Sequence, residues 1–228
     1  MTGAVAVPAA TVVLGRDTGS GSGAGLEVLM LRRTRDASFA AGAWVFPGGR
    51  VDPADAGPDP IDSLAAARRA AVRETAEEAG IDLATVELHP MAQWSPGAEA
   101  PKRFTTWMLF ARAPHDVPVE VDGNEIVDHS WLRPDDALSA HARRELLLLP
   151  PTWMTLRFLS GYPDCAAAVE GIKQTPIESY QSRLVATDEC QVVLWHGDAG
   201  YDTGDADAPG GRHRLLLARA GWRLEKST

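Results

Sequence analysis

Glu74, Glu77 and Glu78 stand at i, i+3 and i+4 within Arg73-Glu74-Thr75-Ala76-Glu77-Glu78-Ala79-Gly80-Ile81. On an α-helix that spacing puts the three carboxylates on one face, within a turn of each other. Like charges packed this closely repel, and a bound divalent cation is the commonest reason for a helix to keep them. Oxygen ligands of this kind suit Mg²⁺ or Mn²⁺ rather than zinc. The chemistry within reach of such a site is metal-assisted hydrolysis, in which a cation neutralises developing anionic charge and helps deprotonate water. Glu74 and Glu78, one turn apart, are the first choices as ligands, with Glu77 sharing a metal or acting on the water. Arg73 stands i, i+4 from Glu77 and can hold one carboxylate while the others face the metal. The bland alternative is a solvated acidic helix face, and this stretch alone does not separate the two.

Upstream lies Trp44-Val45-Phe46-Pro47-Gly48-Gly49-Arg50-Val51-Asp52, which reads as an apolar strand end entering a tight Gly-Gly turn. Glycine there lets backbone approach a ligand closely. Followed by Arg-Glu-x-x-Glu-Glu-x-Gly-Ile, the segment strongly resembles the Nudix box, with Gly49, Arg73, Glu74, Glu77, Glu78, Gly80 and Ile81 on motif positions. The resemblance implies a hydrolase that cleaves a nucleoside diphosphate linked to another moiety, with Mg²⁺ or Mn²⁺ as cofactor and Gly48 and Gly49 against the substrate. Arg73 and Gly80 would support the site. One departure is evident. The stretch between Gly49 and Arg73 is longer than in the usual box, through Asp52-Pro53-Ala54-Asp55-Ala56-Gly57-Pro58-Asp59-Pro60. The family's earlier box glutamate then falls on Ala65, so its role is missing or is supplied by Asp59 or Asp62.

Other candidates lie outside the box. A general base varies among Nudix enzymes; here Glu125, entering a strand from Asp122-Gly123-Asn124, is the first choice and Glu120 the second, with a solvated turn residue as the competing reading of Glu125. Leu31-Arg32-Arg33-Thr34-Arg35, ahead of Phe39 and Trp44, resembles the coenzyme A diphosphatase branch. Trp94-Ser95-Pro96 with Pro101-Lys102-Arg103 is similar to that branch's peroxisomal relatives. Arg32, Arg33 and Arg35 could pair with phosphates, since a guanidinium fork fits them bidentately; strand-end arginines are also ordinary solvated charges. Coenzyme A or an acyl-CoA is therefore the leading substrate. ADP-ribose, nucleotide sugars and dinucleotides come next, and a non-catalytic nucleotide-sensing module is the competing class.

Composition agrees with a soluble enzyme: 228 residues, 45% hydrophobic and 23% charged. A formal net charge of −9 argues against a nucleic-acid partner. Cys165 and Cys190 lack metal or disulfide-framework spacing, which points to a reducing cytoplasm. The histidines are scattered without ligand spacing. No apolar run reaches membrane-spanning length. A homodimer is common in the resembled family and is carried as an expectation.

Positioning these groups requires a sheet and a helix. Residues 9–14, 26–31 and 43–46 read as strands, with a Gly/Ser-rich loop from 18 to 25 between the first two. Asp62 or Ser63 caps a helix that runs to Ala79 and stops at Gly80. Arg68 falls uncomfortably near its sheet-facing side. Strands at 86–94, 103–111 and 126–132 follow, then a helix from Pro134 that is expected to reach past Glu145. The expected class is α+β: a Nudix-type αβα sandwich with a mixed sheet over residues 5–147. A helical and β extension over 148–228 packs on the same domain. Within the extension, Pro150 begins an amphipathic helix. Residues 191–195 and 213–218 read as strands flanking a flexible Gly/Asp-rich loop.

Overall fold

The computed structural model describes residues 6–19, 25–37, 39–97 and 103–227. The chain divides into two compact units. One comprises Pro8–Ala92 and Thr106–Ile177, the other Met1–Val7, Gln93–Thr105 and Glu178–Thr228.

In the first unit, β1 (Val7–Thr18) and β2 (Gly25–Arg33) form an antiparallel pair with Gly15 opposite Val28. The strand β3 (Trp44–Val45) pairs with β2, placing Trp44 opposite Arg32. Gly48 and Gly49 do not make the expected free turn. They belong to β4 (Gly48–Arg50), which pairs with β1 and sets Gly48 opposite Thr11. The lengthened segment that follows folds into a one-turn helix, α1 (Pro53–Ala56). Then come α2 (Leu64–Ala79), β5 (His89–Ser95), β6 (Phe104–Arg112) and β7 (Ile126–Leu132), which pairs with β2. The helices α3 (Pro134–Ala142), α4 (Pro150–Leu159) and α5 (Cys165–Gln174) complete the unit. The sheet order is β3-β2-β1-β6-β5. It is mixed: Val7 N donates to Arg103 O and Ala113 N to Gly15 O, so residue numbers rise together along β1 and β6.

Consecutive residues Val12, Val13 and Leu14 on β1, and Leu29, Met30 and Leu31 on β2, are fully buried. Successive strand residues point to opposite faces, so both faces of the sheet must be covered. On one face Ala66, Ala67, Ala70, Ala71 and Ala79 of α2 share a core with Ala10, Val12, Leu14, Leu29 and Leu31. A seam of alanines lets the helix lie close to the strands. On β2 and beyond, α3 packs against the sheet and α4 against α3. This is the expected αβα layering.

The helix caps follow the sequence reading. Ser63 Oγ accepts from Ala66 N at 3.1 Å, and Gly80 takes the left-handed φ of 68° that ends α2. Arg68 reaches along the helix and donates to Leu88 O at 3.2 Å, which resolves its position beside the sheet-facing side. Boundaries differ from expectation: β1 runs on to Thr18, where the loop was expected to begin. The third strand is only two residues long, β5 starts at His89 rather than 86, and α3 ends at Ala142. Glu145 thus lies beyond the helix, where it pairs with Arg143 at 2.8 Å. Part of the expected Gly/Ser loop, together with Pro101 and Lys102, falls outside the described residues.

In the second unit β8 (Glu178–Gln181) precedes a four-stranded antiparallel sheet of β9 (Arg183–Ala186), β10 (Gln191–Leu194), β11 (Arg212–Leu216) and β12 (Arg223–Ser227), ordered β12-β11-β10-β9. Trp94 stacks on Tyr180 with ring centroids 4.0 Å apart, and Trp195 meets both edge-on. The loop between β10 and β11, expected to be flexible, is stitched by arginines. Arg183 donates to the carbonyls of Tyr201, Asp202 and Thr203, and Arg214 to that of Ala206. Asp198, buried inside the loop, accepts from Arg214 Nε and Nη2 at 2.7 and 2.6 Å and from the backbone of Gly200 and His213.

Burial pushes the Asp198 pKa up, but those donors outweigh it and hold the carboxyl at about 2, below its ordinary 3.8. A depressed carboxyl stabilises the fold above its unfolded value and loses that contribution as pH falls through the folded one. Asp198→Ala, which leaves Arg214 buried and unpaired, is expected to lower stability at pH 7 by about 3–5 kcal/mol. In the wild type the Asp198 contribution is expected to fade between about pH 4 and pH 2. Thermal melts of both proteins across that range check it. Parallel melting curves at every pH would rule the pairing out as a stabiliser.

Among the described residues, no helix is long and apolar enough to cross a membrane.

Candidate active site

The site is built where α2, β4 and the loop ahead of β7 meet. Gly48 N donates to Glu78 Oε2 at 2.9 Å, tying the last turn of α2 to β4. A Cβ on Gly48 would lie 2.3 Å from Ala10 O, and φ there is +153°, so only glycine keeps the strand pairing and the hydrogen bond together. At Gly49 a Cβ would sit 2.4 Å from Glu74 Oε1. The bare backbone of Gly49 is what lets the Glu74 carboxylate lie over β4.

The electrostatics mark the carboxylates as a coupled group. Burial pushes Glu78 up to about 8, with Glu74 and Glu125 adding to the rise while the Gly48 N–H and Arg33 oppose it. Glu74 is raised by burial as well, with Glu77 and Glu125 contributing and Arg73 opposing. Glu125, distant in sequence, therefore faces the same ground as the α2 carboxylates. Its backbone N–H, and that of Ile126, bond to the Asp122 carboxylate at 3.0 and 2.8 Å, which fixes the loop. Its side chain is held by Arg33 Nη2. Glu77 differs: its side chain is 58% exposed and bonded to Arg73 Nη1, at the solvent side of the cluster. Glu120 is exposed beside the C-terminal end of α2, the end that carries Glu77 and Glu78, where its N–H donates to Ala79 O. Of the two sequence candidates for a base, Glu125 is the one whose charge acts on both Glu74 and Glu78.

The candidate phosphate ligands separate. Arg32 lies over the Trp44 ring, 5.9 Å from its centroid, and pairs with Asp128 at 3.2 Å. Arg33 is committed to Glu125 and to the Phe39 carbonyl. Arg35 is exposed in the turn after β2, and Phe39 is 46% exposed nearby in sequence.

Sequence reasoning missed Asp55. Asp59, one of two residues expected to stand in at Ala65, pairs instead with Arg69 at 2.8 Å, and Asp62 offers its carbonyl to Trp107 Nε1. Asp55 is buried and bonds Arg73 through Nε at 3.2 Å and Nη2 at 2.9 Å. Burial would raise its pKa, yet Arg73 and the Asp52 N–H hold it below its ordinary value. The available signal was Asp52-Pro53-x-Asp55, a helix-start pattern with proline in the first turn.

The donor chemistry fits a hard cation. Buried Glu78 and half-buried Glu74 repel each other and Glu125, and a positive charge among them would relieve all three. Among the described residues no three His, Cys, Asp or Glu side chains converge into a ready-made cage. Mg²⁺ does not require one, since it is usually held by one or two carboxylates together with water and substrate phosphates.

The NUDIX domain family model matches residues 6–149. A NUDIX hydrolase from Alicyclobacillus acidocaldarius superposes with a TM-score of 0.65 at 24% identity, over 73% of this chain and 96% of that one. An Ap4A hydrolase of C. elegans in a binary complex gives 0.47 at 25% identity, over 68% and 99%. The NUDIX domain of Shewanella oneidensis NrtR, complexed with ADP ribose, gives 0.47 at 16% identity, over 67% and 85%. With the family match spanning more than half of its length, the chain belongs to the NUDIX domain family and has the fold of a Nudix hydrolase.

Proposed function

We propose that the protein hydrolyses the diphosphate bond of a nucleoside diphosphate linked to another moiety, using Mg²⁺ or Mn²⁺ held by Glu74 and Glu78. The observation that carries this is the pair of mutually repelling carboxylates, Glu78 buried and Glu74 half-buried, set against the glycine backbone of β4, with the Glu125 charge acting on both. When bound, the cation supplies charge neutralisation at the diphosphate oxygens and acidifies a coordinated water. Glu74 and Glu78 hold it, and Gly48 and Gly49 keep the floor of the site free of side chains. In this reading Glu125 takes the proton of the attacking water, with Arg33 bonded to its side chain to set its direction. Glu77, on the solvent side with Arg73, shares the cation's field. The free thiols of Cys165 and Cys190 suit a reducing, cytoplasmic setting.

Coenzyme A or an acyl-CoA is the proposed substrate, on the segment from Arg32 to Trp44. Arg32 and Arg35 would meet phosphate, with Trp44 and the exposed Phe39 beside them. The test is a panel of coenzyme A, its 3′-dephospho form, ADP-ribose, a nucleotide sugar and a dinucleoside polyphosphate, with products identified by mass. A charge-assisted contact contributes about 1.5–3 kcal/mol, so Arg32→Ala or Arg35→Ala is expected to raise KM for the preferred substrate by about tenfold. Arg33→Ala should act on kcat instead, because it releases Glu125. Wild-type enzyme that ignores coenzyme A and cleaves ADP-ribose or a nucleotide sugar ends the coenzyme A assignment and leaves the phosphoanhydride chemistry standing. Tight binding of the panel without turnover would identify a sensing module.

A further inference from the structure

We propose that Asp55, delivered by the lengthened segment ahead of α2, is the positioning carboxylate that fixes Arg73 and, through Arg73, Glu74 and Glu77.

Within residues 51–60 only Val51 and Asp55 are buried; the neighbours Asp52, Pro53 and Ala54 are exposed. A carboxylate taken out of water needs a cation and hydrogen bonds to compensate it. Asp55 has both. Its Oδ1 and Oδ2 accept from Arg73 Nε and Nη2, and Oδ2 also accepts from Asp52 N at 2.9 Å. The guanidinium is planar and its donors are fixed relative to one another, so binding one edge orients the other. The other edge carries the site: Nη1 donates to Glu74 Oε1 and Glu77 Oε2, both at 3.0 Å. Nη2 also reaches Arg50 O at 3.0 Å, joining the end of β4 to the same fork. Asp55 thus sets the plane in which Arg73 presents its donors to the carboxylates.

The segment is itself anchored to α2. Arg69, one turn before Arg73, donates to the carbonyl of Asp55, to that of Ala56 at 2.5 Å, and to Asp59 at 2.8 Å. Two guanidiniums on one face of α2 therefore grip α1, one by its carbonyls and one by its buried acid. At the position where the usual box carries a glutamate, α2 has Ala65, whose methyl group can accept nothing from Arg73. The acid that meets Arg73 here stands on the segment before α2 and not on α2 itself.

The inference rests on the metal-hydrolase reading, and the experiment separates the two. Wild type, Asp55→Asn, Asp55→Glu and the double variant Asp55→Asn with Ala65→Glu are compared by Mn²⁺ titration followed by electron paramagnetic resonance, by kcat and KM, and by thermal melting. Asp55→Asn keeps the shape of the side chain, and the melts fix a temperature at which every variant is folded. A residue acting behind the ligands costs about 10–100-fold in metal affinity or activity when its charge is lost. That loss is expected in Mn²⁺ affinity and kcat for Asp55→Asn, with KM moving far less. Asp55→Glu should lose less, and Ala65→Glu should restore part of the loss by returning a carboxylate to the helix. Wild-type Mn²⁺ affinity and kcat in Asp55→Asn would overturn the assignment. So would a fall that only tracks melting temperature and that neither Asp55→Glu nor Ala65→Glu relieves. Wild-type protein that binds no Mn²⁺ and turns over in chelator would instead defeat the metal reading itself.

Discussion

Treated with EDTA and desalted, the protein is expected to lose turnover completely and to regain it when Mg²⁺ or Mn²⁺ is added. The reason lies in the balance of charge around β4. Burial raises the pKa of Glu74 and Glu78, the Glu125 charge adds to both, and the cations facing them are already committed: Arg73 is shared among Asp55, Glu74 and Glu77, and Arg33 is bonded to Glu125. With Arg73 and Arg33 both bonded to carboxylates, an anionic diphosphate that approaches Glu78 meets net negative charge unless a divalent cation intervenes. Binding should also be visible without substrate. A ligand that binds only the folded state stabilises it by about 2.7 kcal/mol at a hundred times its dissociation constant, so Mg²⁺ or Mn²⁺ should raise the melting temperature in a saturable way. Full turnover in chelated protein, with no shift in melting, would end the metal mechanism.

The sequence made the helix of the site legible because local signals agree there. Ser63 caps, Gly80 stops and the alanine face buries, each for a reason that acts within a turn or two. The carboxylates could be assigned to one face for the same reason. What sequence reading could not reach was set by pairing at a distance. Gly48 and Gly49 look like a turn by composition, yet β1 pairs with them and makes them a strand. Arg33 reads as one of three equivalent arginines until β7 pairs with β2 and brings Glu125 to it. Asp55 sits in a Pro/Gly-rich stretch that local composition marks as loop, and its burial depends on two arginines a turn apart on another element. The loop from 196 to 212 misled in the same way: glycine and aspartate suggested freedom, and the arginines that tie it down lie on β9 and β11.

Glu78→Gln and Glu74→Gln are each expected to lower turnover by about a hundredfold or more, because a lost ligand charge weakens the cation where the transition-state charge develops. Their effects on stability should differ, and the difference is diagnostic. Glu78 is buried, and an acid whose folded-state pKa is raised to about 8 opposes folding once pH exceeds its ordinary value. The neutral amide relieves that cost while its carbonyl oxygen still accepts from Gly48 N. Glu78→Gln should therefore melt at the same temperature as wild type or higher, giving a more stable and nearly inactive protein. Glu74 is also raised by burial but keeps an ion pair with Arg73 that the amide loses, so Glu74→Gln should melt below Glu78→Gln. Glu145→Gln is the control, since Glu145 is exposed and pairs only with Arg143 beyond the end of α3. It should leave turnover and melting close to wild type, as surface pairs contribute little. If all three variants behave alike in rate and in melting temperature, the α2 carboxylates are a solvated face and no cation site. A fall in turnover with a rise in stability at Glu78 is a result that only a functional burial of charge produces, because a residue kept for packing loses both together.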